Sequence, residues 1–75
     1  MSKLPLISGQ GMCALLTKVG FTRVRQKGSH VFMAHPDGRA IVVPVHRGED
    51  LGRGLIRTIL SEAQLSLEGY LRLRK

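Results

Sequence analysis

The apolar positions change period along the chain, and each change marks an element. Met12, Leu15, Leu16 and Val19 recur at i, i+3, i+4 and i+7, the spacing of one apolar stripe on an α-helix. Ser8 stands ahead of the stripe as an N-cap, and Gly20 follows it in the position that closes a helix with a left-handed residue. Met1 to Ile7 show no period and read as a loose lead-in. From Phe21 the pattern shortens to that of strands. Phe21 to Gln26 is short and rich in bulky and β-branched residues, Gly28 breaks it, and Ser29 to His35 forms a second strand. Pro36-Asp37-Gly38 is a turn, since proline presets φ, aspartate tolerates turn geometry and glycine supplies a positive φ. Arg39 to Val43 makes a third strand, antiparallel to the second, and Pro44 ends it or marks a sheet edge because it has no N–H to donate. After a polar connection from His46 to Gly52, helical spacing returns from about Gly52 to Gln64, with Leu55, Ile56, Ile59, Leu60 and Ala63 as the buried stripe. Ser66 is placed to cap a short final turn through Leu71.

The order is therefore α-β-β-β-α, an α+β arrangement in one domain spanning residues 1–75. Two helices on one face of a three-stranded antiparallel sheet bury both apolar stripes and leave the other face free. Strand alternation then assigns the side chains. Val31, Met33, Ile41 and Val43 suit the core beneath the helices, and His30, Phe32 and Val42 fall on the opposite face. His30 is thereby placed pointing away from the core, at the start of its strand and beside the Gly28 break.

Charge narrows the class of partner. Twelve Lys and Arg against five Asp and Glu give a formal net charge of +7, a field that favours polyanions such as nucleic acid or an acidic protein surface. No apolar run approaches the roughly 20 residues that span a bilayer, and no long helix pairs a basic face with an apolar one. The first residues lack a signal-peptide pattern. These features point to the cytoplasm and to no membrane partner. Cys13 is the only cysteine and falls within the first helical stripe, so it reads as a packed thiol with neither a disulfide nor a zinc cluster to join.

The candidate chemistry gathers around His30, which Arg25, Lys27, Gly28 and Ser29 precede. An imidazole exchanges a proton near neutral pH, with an unperturbed pKa of about 6.5. RNA carries its own nucleophile, the 2′-hydroxyl, so a group that removes that proton beside cations that offset phosphate charge can cleave the chain without a metal or cofactor. Arg25, Lys27 and the backbone N–H groups near Gly28 and Ser29 are the candidates for the phosphate. His46 reads as a second RNA contact, a proton donor or a loop residue, whereas turn solvation accounts for His35. Arg53 and Arg57, at i and i+4, are either a solvated helix face or a contact for phosphate or an acidic partner. Phe21, Phe32 and Tyr70 are the only aromatics, too few for a sheet that stacks several bases, so phosphate contacts should dominate binding. On residues alone, a non-catalytic RNA-binding module or a protein-binding adaptor fits the same charge and pattern.

The motifs taken together resemble those of HicA-type toxins from HicA–HicB toxin–antitoxin modules, over about Leu4 to Tyr70. The resemblance is carried by Leu-Pro-Leu-Ile-Ser-Gly before the first helix, Gly20-Phe21, Arg25-Gln26-Lys27-Gly28-Ser29-His30 and His35-Pro36-Asp37-Gly38. Val43-Pro44-Val45-His46 and Leu51-Gly52-Arg53-Gly54-Leu55-Ile56-Arg57-Thr58-Ile59-Leu60 complete it. It departs at Gln10, where the family often has lysine, and at Leu55-Ile56, where it often has Thr-Leu. The resemblance implies a fold like the double-stranded-RNA-binding domain and a ribosome-independent mRNA endonuclease with His30 as its catalytic residue. It also implies a HicB-type antitoxin that covers the active face.

Overall fold

A computed structural model describes residues 4–74. Its elements run α1 (Gly9–Lys18), β1 (Thr22–Lys27), β2 (His30–Ala34), β3 (Ala40–Pro44), α2 (Arg53–Glu62) and α3 (Leu67–Leu73). The strands form one antiparallel sheet in the order β1-β2-β3. This is the α+β, double-stranded-RNA-binding-domain-like arrangement that the pattern predicts, with the final turn extended into a third helix.

Capping sets the helix boundaries. The Ser8 hydroxyl accepts a hydrogen bond from the Gly11 N–H at 3.0 Å, satisfying a donor that the first turn leaves free. At the other end of α1 the Phe21 N–H reaches back to the Leu16 carbonyl, and Gly20 takes φ +101°, which together make a Schellman closure. The end of α2 closes in the same way. The Leu65 N–H bonds the Leu60 carbonyl, and Gln64 takes the left-handed role at φ 57° that glycine usually fills.

The core lies between the helices and one face of the sheet. Met12, Leu15 and Leu16 from α1 and Ile56, Ile59, Leu60 and Ala63 from the α2 region pack with Val31, Met33, Ile41 and Val43. The alternation expected in β2 and β3 is therefore the alternation observed, and Pro44 closes β3 on a sheet edge. Leu55 departs from the expected stripe and is 37% exposed. Ile56, Ile59, Leu60 and Ala63 already complete an i, i+3, i+4, i+7 face, and the residue before it is turned about 100° away from that face's start.

Two expectations about the ends of the chain need correcting. Residues 4–7 are not a loose lead-in, although Met1–Lys3 lie outside the described residues. Leu4 is buried, the Pro5 carbonyl accepts the Tyr70 hydroxyl at 2.5 Å, and the Ile7 carbonyl accepts the Leu51 N–H. The short final turn is a helix of seven residues. Ser66 caps it at the Gly69 N–H, and the fully buried Tyr70 anchors it.

Candidate functional site

The hairpin between β1 and β2 builds the region around His30. Lys27 and His30 pair across a two-residue turn, Gly28-Ser29. Gly28 has φ +59°, and Ser29 does not share that sign. Positive φ at the first central position alone is the pattern of a type II′ turn, whose twist suits antiparallel strands and which glycine enters without steric cost. The Gln26 side-chain amide donates to the Gly28 carbonyl at 3.0 Å. The turn is also held from β3, because the Val45 N–H donates to the Ser29 carbonyl at 2.6 Å.

His30 opens the central strand and lies between Lys27 of β1 and Pro44 of β3. It is exposed on the sheet face that no helix covers. The next outward row is Arg25, Phe32 and Val42, and the row beyond it is Thr22, Ala34 and Ala40. The Arg25 guanidinium lies over the Phe32 ring at 4.9 Å from its centroid. Among the described residues, no carboxylate pairs with Arg25 or Lys27, and no hydrogen bond ties the His30 or His46 side chain.

A bulge makes this face narrower in charge than the sequence suggests. Arg23, Arg25 and Lys27 alternate and would all point outward in a regular strand. The register shifts between Arg23 and Arg25, so Val24 is the extra residue and Arg23 lies opposite the inward Met33. Arg23 accordingly turns to the helix side and donates to the Gln10 side chain at 2.9 Å.

The structure brings Lys27, Gly28, Ser29 and His30 to one end of the sheet, with Arg25 one row further in, opposite Phe32. His46 follows immediately after the Val45–Ser29 bond, exposed at the start of a turn in which its carbonyl accepts the Glu49 N–H. The first residue of α1 meets the same end. A Cβ on Gly9 would lie 2.3 Å from the Pro44 carbonyl oxygen and 2.9 Å from the Val45 Cα, so only glycine permits this approach.

The opposite end of β2 holds a separate cluster. His35 Nδ1 lies 3.0 Å from Asp37 and accepts the Asp37 N–H, while its ring stands edge-on to Phe21. Arg39 donates to both Asp37 oxygens, reaches the Ala63 carbonyl and lies over Phe21. The Arg39 side-chain bonds hold the Asp37 carboxyl below its ordinary range. These contacts fasten the β2–β3 turn to the helix ends and give His35 a structural role. Cys13 is buried, and desolvation pushes its thiol pKa up, in keeping with a packed thiol. Arg57 and Arg53 belong to the helix layer. Arg57 borders a groove of about 290 Å³ with Leu4, Leu60, Ser61, Leu65 and Leu67, on the far side of the sheet from His30. Among the described residues, no three His, Cys, Asp or Glu side chains converge as a metal site would require. No described helix is long and apolar enough to cross a membrane.

Fold and site define a small basic α+β domain whose fold is like that of the double-stranded-RNA-binding domain, with its helices on one sheet face and a histidine and two cations on the other. The family model described as HicA toxin of bacterial toxin–antitoxin matches residues 9–65, most of the chain, and the chain belongs to that family. Its role is accordingly that of a toxin in a toxin–antitoxin module, which implies an antitoxin partner. No curated protein matches the chain.

Proposed function

We propose that this toxin is a ribosome-independent mRNA endonuclease, acting in the cytoplasm and using His30 for metal-free cleavage. The observation that carries the reading is the position of His30, exposed at the start of the central strand, opposite Lys27 and one row from Arg25 on the uncovered face. His30 takes the proton from an RNA 2′-hydroxyl. The 2′-oxygen attacks the adjacent phosphorus and the bond to the 5′-oxygen breaks, leaving a 2′,3′-cyclic phosphate on one fragment. The departing 5′-oxygen takes up a proton from His46 or from water. Lys27 and Arg25 offset the charge on the phosphate, and the N–H groups of the Gly28-Ser29 turn add donors beside it. The substrate is mRNA or other single-stranded RNA, and no cofactor enters the reaction.

A HicB-type antitoxin fits the same face, since covering His30, Lys27 and Arg25 would both block RNA and satisfy their charges. The test compares wild type with His30→Ala for growth arrest on induction and for cleavage of purified RNA in EDTA. Loss of one general acid–base group is expected to slow cleavage by about 10²–10⁴-fold, and growth should recover. An alanine variant that cleaves RNA as fast as wild type would overturn the assignment. RNA bound by the wild type without cleavage would make the domain a binding module instead.

A further inference from the structure

Phe32 lies at the centre of the open face and has no role in the cleavage chemistry. Its neighbours across the sheet are Arg25 and Val42, and His30 stands two residues before it on the same strand and face. Phe21 and Tyr70 are 1% and 0% exposed, so Phe32, half-buried, is the one Phe, Tyr or Trp ring of the chain available at the surface. Val42 beside it is 43% exposed, which extends the apolar patch onto β3. Arg25 covers the ring with a planar cation.

An arginine laid over an aromatic ring on a sheet face that no helix covers makes a platform on which a nucleobase stacks, because every base offers a π face to a ring or a guanidinium plane. Two residues of strand advance about 6.6 Å, comparable to one nucleotide step of an extended RNA strand. A phosphate held at Lys27 and His30 therefore brings a neighbouring base to Arg25 and Phe32. We propose that Phe32 and Arg25, floored by Val42, form a subsite for a single nucleobase of unpaired RNA next to the cleaved phosphate. This inference rests on the reading of His30 as the centre of RNA cleavage. Stacking needs a free base face, so the subsite takes single-stranded RNA and refuses paired bases. With apolar Val42 and Ala34 around the ring, it accepts bases with little regard to their identity.

The test uses the full chain carrying His30→Ala, which binds without cutting. Fluorescence anisotropy compares a short single-stranded RNA with an abasic ribose-phosphate chain of the same length. The bases are expected to add about 10-fold in affinity, the scale of one stacked base. Adding Phe32→Leu should abolish that difference and leave the abasic chain bound as before, whereas Phe32→Tyr should keep it. With His30 intact, Phe32→Leu should raise KM for RNA about 10-fold and leave the pH profile of kcat unchanged. A base-dependent difference that persists in Phe32→Leu, or is absent from the Phe32 protein, overturns the subsite while the cleavage reading stands. Intact RNA affinity in Phe32→Leu with loss of antitoxin capture also overturns it, and assigns the face to a protein partner. The cleavage reading fails separately, if wild type does not cut RNA at all.

Discussion

The same substitution, glycine to alanine, should have opposite effects in the first turns of α1 and α2. At Gly9 the added methyl would lie 2.3 Å from the Pro44 oxygen, 2.9 Å from the Val45 Cα and 3.1 Å from a Val45 methyl. Two of these three atoms belong to backbone, so α1 or the end of β3 has to move. Overpacking of this kind costs about 1–3 kcal/mol. Alanine recovers part of that cost through helix propensity, at most about 1 kcal/mol in a helix interior and less in a first turn, for a net loss of about 1–2 kcal/mol. At Gly54 a methyl meets nothing within 4 Å, and φ is not positive, so Gly54→Ala should stabilise by about 0.5 kcal/mol. For a domain of this size 1 kcal/mol moves Tm by about 4–8 °C. The Gly9→Ala midpoint should thus fall by about 4–16 °C and the Gly54→Ala midpoint rise by about 2–4 °C. Urea and thermal melts followed by circular dichroism read both. Because Val45 also holds the Ser29 carbonyl, Gly9→Ala should slow the proposed RNA cleavage even at a temperature where it is fully folded. A Gly9→Ala protein as stable as wild type would refute the close approach of α1 to β3 and the argument built on it.

Two further outcomes check the remaining contacts. The Asp37 carboxyl is held low chiefly by the Arg39 side chain, so its contribution is present above the ordinary aspartate range, near 3.9, and is lost as the pH falls through the folded-state value. Asp37→Asn should therefore be less stable than wild type in urea melts at pH 7, and the gap should close toward pH 2; a gap independent of pH would contradict the assignment. Tyr70→Phe leaves the Pro5 carbonyl without its hydroxyl partner and should cost about 1–2 kcal/mol in urea melts, with hydrogen exchange rising near Ile7 and Leu51; no change would mean that residues 4–7 are held by packing alone.

Local pattern made most of the frame legible. Ser8 and Gly20 bound α1 through hydrogen bonds within a few residues of themselves, and the alternation in β2 and β3 is local by construction, so the outward position of His30 could be read without coordinates. The features that escaped depend on distant partners. The bulge at Val24 leaves no mark in β1, yet it decides that Arg23 meets Gln10 on α1 while Arg25 meets Phe32. Residues 4–7 have no period because a tyrosine 65 positions away pins them. Helix α3 has that same tyrosine as its one fully buried residue, with Leu71 and Leu73 only partly buried against the core, and so short a helix shows no repeating stripe. Among the candidate site residues, strand limits at Gln26 and Ser29 do not place Lys27 opposite His30; that pairing comes from the two-residue turn at Gly28-Ser29 and the register it sets. The placement of His46 depends on the later Val45–Ser29 bond, which no spacing reveals.

The division of the sheet into a packed face and an open one also bears on how the functional tests can be interpreted. The buried core draws on Val31, Met33, Ile41 and Val43 and on no outward residue of β2 or β3. Every position of β1 is exposed, so the strand bearing Arg25 and Lys27 is held mainly by its ladder with β2. Substitutions at His30, Lys27 or Arg25 thus remove no core volume, and surface changes of this kind usually stay within about 0.5 kcal/mol. A loss of cleavage in those variants would report on chemistry or binding, with folding intact. Gly28 is the exception on this face, because a residue with a Cβ resists φ +59° and would strain the turn that sets Lys27 against His30. Its replacement would confuse the two effects, which makes His30 and Phe32 the decisive positions for separating catalysis from recognition.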